Sequence, residues 1–232
     1  MSSRPGIAPG VFRRSLDVAV SLVGLMVLAP LLAAVWMAIR LSSRGPAIYR
    51  QERVGQGGRM FTLYKFRSMR IDAGGSKVTV PGDPRVTRLG RILRKTSLDE
   101  LPQLVNVLRG DMTLVGTRPE TPELAARYDE MCARVFQYRP GMTGPGQLRY
   151  RDEDALPHDG QDVDRFYFEV LLPRRTSVDL EYLENPTMSR TIGLLAETAG
   201  QVVAALLGRK RPQAGVADAT ATDPAGEQRA EA

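Results

Sequence analysis

Between Val18 and Ile39 the chain places 22 residues without a charge, VAVSLVGLMVLAPLLAAVWMAI, against the roughly 20 that cross a bilayer as a helix. This pattern predicts one long apolar helix, with Pro30 near its middle removing a backbone donor and kinking or breaking it. Beyond it, AIYRQERV, GQGG and RMFTLYKFRSM predict strand, turn and strand. A loop rich in glycine and proline follows over 71–84. Arg85, Arg88, Arg91 and Arg94 then recur every third residue beside Val86, Leu89, Ile92 and Leu93, which predicts an amphipathic helix with a basic side. Leu98, Leu101, Leu104, Val105 and Leu108 mark the buried face of another helix that ends near Gly110. Residues 163–183 read as helix with a break at Pro173. Thr191–Gly208 reads as an apolar-rich helix of about 18 residues, short for a bilayer span and suited to an interface or a partner, with a second membrane insertion as the alternative.

The first apolar block has three candidate dispositions. A signal peptide would have an overlong hydrophobic region and no small-residue cleavage site. A plain spanning anchor satisfies the length. A re-entrant helix would bend at Ala29–Pro30 and return to the side it entered from. The flanks are basic on both sides, Arg13 and Arg14 before and Arg40 and Arg44 after, so the positive-inside preference sets no orientation. A spanning helix with its start inside would export everything after Leu41, a basic domain, and that favours the re-entrant form.

Composition narrows the chemistry. The 232 residues are 43% hydrophobic and 25% charged, enough for a buried core. The single cysteine, Cys132, excludes an intrachain disulfide and reads as a core residue. The single histidine, His158, argues against multi-histidine zinc sites and reads as a loop residue. Net charge is +6 with a pI near 9.8. From Pro212 onward the balance is −3, without aromatics or apolar rhythm, so 212–232 reads as a disordered tail and the rest carries +9. Such an excess calls for an anionic partner: membrane surface, phosphorylated substrate or nucleic acid. Aromatics at 6% and the lack of a recognition fold speak against nucleic acid.

Three short patterns carry candidate chemistry. Gly55, Gly57 and Gly58 suit a hairpin turn better than a phosphate cradle. Lys65, Arg67 and Arg70 form a basic end to the second strand. In TSLDEL, Ser97 with Glu100 fits a capping box, and Asp99 suits the positive end of a helix dipole. Pro102 belongs in a first turn, which makes Leu98 or Asp99 a better cap than Ser97. The same adjacent carboxylates could instead ligate Mg2+ and supply a nucleophile for phosphoryl transfer. Spacing leaves both readings open.

YKFRSM (64–69), TSLDELPQLVNVLRGDMTLVGTRPE (96–120) and RPGMTG (139–144) resemble, in that order, the bacterial sugar transferases. These are monotopic phosphoglycosyl transferases that begin membrane-associated glycan assembly. The likeness runs from about Arg13 to Leu183 and includes the apolar helix with its central proline, which in that family is re-entrant. It implies the small form of the family, acting at the cytoplasmic face of a bacterial plasma membrane. By this resemblance Asp99 attacks the sugar-bearing phosphorus of a nucleoside diphosphate sugar, by family expectation a uridine diphosphate sugar. Polyprenyl (undecaprenyl) phosphate then takes the phosphosugar. Glu100 assists through Mg2+ or as a base. Lys65, Arg94 and Arg118 fall on family positions suited to phosphate or carboxylate, and Arg139 opens RPGMTG, whose proline and glycines equally suit a turn.

The expected architecture is therefore α+β and helix-rich. A re-entrant membrane helix (1–41) precedes a compact catalytic domain (42–211) with a β-hairpin and interfacial amphipathic helices, and the tail follows. Partners are the sugar nucleotide, the lipid phosphate and membrane lipid, without nucleic acid; a homo-oligomer stays open. This chain departs from the family pattern at Ala29, where the bend usually has serine, and at Thr117, where GPRP has its first proline. PGQLRYRDEDAL (145–156) also departs, pointing to a subfamily difference in recognition. The alternative function is a basic membrane-anchored binding or scaffold protein without transferase activity.

Overall fold

The computed structural model describes residues 10–70, 83–150 and 163–208. Most of the expected loop over 71–84, His158, residues 151–156, the basic end at 209–211 and the tail lie outside the described residues. The described chain is helix-rich with two small sheets, matching the α+β expectation in that respect.

Helix α1, Val11–Ser42, contains the whole apolar block and, at ~1.5 Å per residue, is about 48 Å long. Pro30 leaves the Met26 carbonyl without its usual i+4 donor, yet α1 is one helix across Ala29 and Pro30. Asp17, Ser21, Val35 and Ile39 are buried, with Gly24, Leu25, Leu28 and Leu32 half-buried between them. This spacing of three and four makes a single stripe along the helix. The remaining apolar surface, including Val23, Met26, Val27 and Met37, is exposed. Among the described residues α1 alone is long and apolar enough to cross a bilayer.

Both ends of α1 are fastened to the same domain. At its start, Arg14 donates to the Val107 and Leu108 carbonyls at 2.6 and 2.8 Å. Arg13 donates to the Val115 carbonyl and the Tyr182 hydroxyl, each at 3.1 Å. Asp17 accepts from the Thr113 hydroxyl at 2.8 Å and the Leu114 amide at 3.0 Å. Just past its end, Arg67 donates to the Arg44 and Ser43 carbonyls at 2.7 and 3.0 Å. Arg67 therefore works away from Lys65, and the basic end expected at 65–70 is divided: β2 stops at Phe66, and the chain turns Arg67 back under α1.

The hairpin forms as the alternation predicts, β1 (Ile48–Val54) antiparallel to β2 (Met60–Phe66). Gly57 and Gly58, at φ 67° and 79°, supply the left-handed turn between them. Helix α2, Arg88–Thr96, starts where Thr87 accepts from the Gly90 amide at 2.9 Å. Gly90 packs on Ser68, whose carbonyl oxygen would lie 2.0 Å from any Cβ there. Arg88, Arg91, Ile92 and Lys95 face outward, while Arg85 lies before the helix and pairs with Asp83.

A 3₁₀ turn, Leu98–Gln103, leads into α3, Leu104–Arg109, which Gly110 ends at φ 89°. The deepest residues there are Asn106 and Val107 rather than Leu108, because the 3₁₀ segment shifts the helical phase. Strand β3, Thr113–Val115, runs parallel to β4, Gly141–Thr143. RPGMTG is thus a strand rather than a turn: a Cβ on Gly141 would fall 2.1 Å from the Gly116 amide nitrogen, so glycine lets the two backbones meet. Of the short helices α4 (Pro122–Ala125), α5 (Glu130–Ala133) and α6 (Pro145–Arg149), the first packs on β1 and the other two on the helix over 172–184.

Helix α7, Val163–Phe166, passes through a π-helical turn, Tyr167–Leu171, into α8, Leu172–Glu184. The break expected at Pro173 is absent because the helix runs on through the π-helical turn just before it, whose wider turn accommodates the ring. Helix α9, Met188–Leu206, closes the described chain. The main core joins Leu63, Leu104, Val107, Met112, Leu114, Val115, Tyr182 and Leu183. A second cluster sets Val35 and Ile39 of α1 on Phe66 and Leu93. Cys132 is buried in a third, as expected of a core residue.

Candidate active site

Side chains alternate along β2, and cross-strand partners share a face. Lys65 and Leu63 therefore lie on one side with Gln51 and Arg53 of β1. The 3₁₀ turn with Asp99 and Glu100 packs over that face. Its placement depends on Asn106, fully buried in α3. The Asn106 amide donates to the Thr62 carbonyl at 2.7 Å, and its oxygen accepts from the Tyr64 amide at 3.1 Å. The side chain thus acts as a short extra strand along β2 and holds the turn against the hairpin.

Asp99 is buried at 6% exposure. The N-cap position of the turn is Ser97, and no side-chain capping bond forms there. The capping-box reading thus loses its hydrogen bond. Ser97 also ends α2 in the left-handed region at φ 57°, so Asp99 enters the turn from a sharp reversal. Burial, then the neighbouring Glu100, push the Asp99 carboxyl up to about 6, against the pull of Lys65, Arg94 and Arg118. Burial likewise brings the Lys65 ammonium down to about 8, with Arg118 acting in the same direction. Arg118, from the loop after β3, donates to Glu100 Oε1 at 3.2 Å.

Lys65, Glu100 and Arg118 line one cleft together with Arg53, Gln103, Gly141 and Met142. It holds about 230 Å³ of empty space, open to solvent. Of the residues named from the sequence, Lys65, Arg94, Asp99, Glu100 and Arg118 come together. Arg139 does not line that cleft; the charges that bear on it are Arg14 and Asp17 at the start of α1 and Asp111 just before β3. Ala29 and Pro30 are exposed mid-helix residues of α1. Arg53, Gln103 and Asn106 are site or supporting residues that the sequence did not single out. The polar Asn106 inside the apolar run LVNVL was the available signal.

Such a site can bind a phosphorylated anion against its cations and present a carboxylate to it. The family model described as bacterial sugar transferase matches residues 9–205. The chain belongs to the bacterial sugar transferase family. A UDP-glucose:undecaprenyl-phosphate glucose-1-phosphate transferase of Caulobacter vibrioides is 40% identical over 200 residues, 84% of this chain and 70% of its own length. An undecaprenyl-phosphate galactose phosphotransferase of Salmonella typhimurium is 36% identical over 82% of this chain and 40% of its own length. A UDP-N-acetylgalactosamine-undecaprenyl-phosphate N-acetylgalactosaminephosphotransferase of Aeromonas hydrophila is 40% identical over 59% of this chain and 33% of its own length.

Proposed function

We propose that this sugar transferase moves a sugar 1-phosphate from a uridine diphosphate sugar onto undecaprenyl phosphate through a covalent intermediate on Asp99. One observation carries the reading. Asp99 is a buried carboxylate beside Lys65, Arg94 and Arg118, in a turn where no side chain caps the helix end. A carboxylate so placed is costly to the fold and suited to attack on phosphorus. The three relatives name one acceptor and three different sugars, so the acceptor carries over to this chain more firmly than any sugar does.

In the first step an Asp99 oxygen bonds to the sugar-bearing phosphorus, and the pyrophosphate bridge breaks with its electron pair on the departing uridine monophosphate. In the second, undecaprenyl phosphate attacks the same phosphorus and releases Asp99. Lys65, Arg94 and Arg118 neutralise the phosphate oxygens as charge moves. Among the described residues no cluster of three or more acidic, histidine or cysteine side chains forms. Mg2+ needs no more than one or two carboxylates when substrate phosphates complete its shell. Asp99 and Glu100 fit that role, and the ion would supply further neutralisation of the diphosphate.

The re-entrant disposition of α1, with the domain on the cytoplasmic face, belongs to this reading. Its support is that Arg13, Arg14 and Asp17 at one end, and the Ser43–Arg44 segment beyond the other, all bind the same domain. A crossing helix would carry one end away from it.

The test uses the full chain in detergent with Mg2+, undecaprenyl phosphate and a panel of uridine diphosphate sugars. Release of uridine monophosphate that needs Asp99 and runs to completion only with lipid is the expected result. No release with any donor, from folded protein, would overturn the transferase reading.

A further inference from the structure

Arg53 is the cation of the cleft for which neither the motifs nor the transferase reading supplies a role. It stands opposite Phe61 in the hairpin register and so shares the face of Leu63 and Lys65. Its guanidinium donates to the Pro119 carbonyl at 2.9 Å and to Gln51 Oε1 at 2.8 Å. Glu120 lies 3.8 Å away, and the Arg53 side chain is only 11% exposed. One donor, Nε, is buried with no hydrogen-bond partner. A buried charged donor without an acceptor is unfavourable, and the residue that carries it lines the cleft beside Lys65 and Arg118.

Hydrogen bonds order the charges along the site. Arg53 donates to the carbonyl of Pro119, the residue after Arg118. Arg118 donates to Glu100, the residue after Asp99. On the hairpin, Leu63 separates Lys65 from Phe61, the cross-strand partner of Arg53. Asp99 therefore marks one end of this series, Glu100 and Arg118 the middle, and Arg53 the other end. Displacement at phosphorus holds the attacking and leaving oxygens in line on opposite sides.

We infer that Arg53 binds the phosphate monoester that stands opposite Asp99: the nucleoside monophosphate as it departs, then the polyprenyl phosphate as it arrives. The inference rests on the transferase reading. When the Asp99 oxygen bonds to phosphorus, the bridging P–O bond breaks and its electron pair becomes a terminal oxygen of the leaving monophosphate. Arg53 lies at that end of the cleft to donate to it. The acceptor phosphate must then attack from the side the monophosphate vacated, within reach of the same guanidinium. The two anions accordingly exclude one another there.

The experiment measures equilibrium binding of uridine monophosphate, and separately of a short-chain polyprenyl phosphate, to the full chain in micelles. Wild type is compared with Arg53→Lys, Arg53→Gln and the double variant Arg53→Gln/Glu120→Gln, which leaves Glu120 without an unpaired charge. Thermal melting reports whether each is folded. Expected are dissociation constants for both anions raised roughly 10–100-fold in the two Gln variants, partial rescue by Lys, and mutual competition of the two ligands on wild type. A loss confined to one of the two anions overturns the shared subsite. Folded Gln variants that bind both within twofold of wild type overturn the inference while leaving the transferase standing. Wild type that neither binds the monophosphate nor releases it from any donor overturns both.

Discussion

Two groups of charges, each built around one buried aspartate, can be compared in this domain: one at the start of α1 and one at the cleft. At the start of α1, Asp17 takes two hydrogen bonds from β3, while Arg13 and Arg14 each give two, chiefly to backbone carbonyls. Beside the cleft, next to its lining residue Glu100, Asp99 is buried to a similar degree, and its carboxyl is pushed up to about 6 by lost hydration and by Glu100. Lys65 is brought down to about 8 by the same loss. Burial of charge is thus common to both groups, and satisfaction is what separates them. The first group converts desolvation into fixed geometry. The second holds Asp99 and Lys65 against a net loss from burial, as a site must if a substrate is to complete them.

Asp99→Asn tests the contrast most severely. In the cleft it removes the nucleophile, so uridine monophosphate release should fall by at least ~10³-fold. The same change removes a charge that the fold holds at a cost. With the folded carboxyl near 6 against about 3.8–4 in the unfolded chain, the variant should be more stable at neutral pH by about 1–3 kcal/mol. Had Asp99 been a helix cap, the variant would lose about 1 kcal/mol and keep turnover. Melting curves beside the release assay separate the two, and a destabilised, active variant would refute the assignment.

On the other side, Asp17→Ala strands the Leu114 amide and the Thr113 hydroxyl in the interior. A loss of about 3 kcal/mol follows, a drop in melting temperature of roughly 6–12 °C for a domain this size. Asp17→Asn keeps one acceptor and should lose about half as much. Unchanged melting in the Ala variant would remove α1 from the fold and, with it, the argument that both its ends belong to one side.

The difference between the groups also explains what could be read from the chain. The apolar block, the hairpin and the basic helix are local periodicities, so their elements were legible in order and nearly in extent. Asp99 and Glu100 were legible as a pair, but only as capping or chemistry, because burial is what chooses between those and burial is tertiary. Asp17 lies one residue before the apolar block, where a charge reads as a flank; its partners are about a hundred positions away. Arg53 looks like any outward residue of an exposed hairpin until the turn of 98–103 covers one face. Strands β3 and β4, three residues each, are too short to show a period. At Pro173 the ring was read as a break, while the preceding π-helical turn absorbs it.

The smallest predicted effect is in pH, and it sharpens the contrast by giving each charge its own signature. Attack needs Asp99 as carboxylate, so release should rise about tenfold per unit up to roughly pH 6 and then level. Lys65 holds phosphate only while charged, so a shallower decline should begin near 8, Arg118 remaining cationic beyond it. Stability follows the opposite rule. The raised Asp99 value contributes stability that is present below about pH 4 and lost as pH rises through 6. The lowered Lys65 value withholds stability below 8 and returns it as pH rises toward 10.5. Lys65→Gln should remove the alkaline limb and leave the acidic one. Saturating Mg2+ should move the acidic limb lower, since a divalent cation beside Asp99 favours its charged form. Asp17→Asn should leave both limbs in place, because its group fixes α1 and does not face the cleft. An acidic limb at pH 4 without Mg2+ would mean that burial does not raise the Asp99 carboxyl, and the distinction between the two groups would fail.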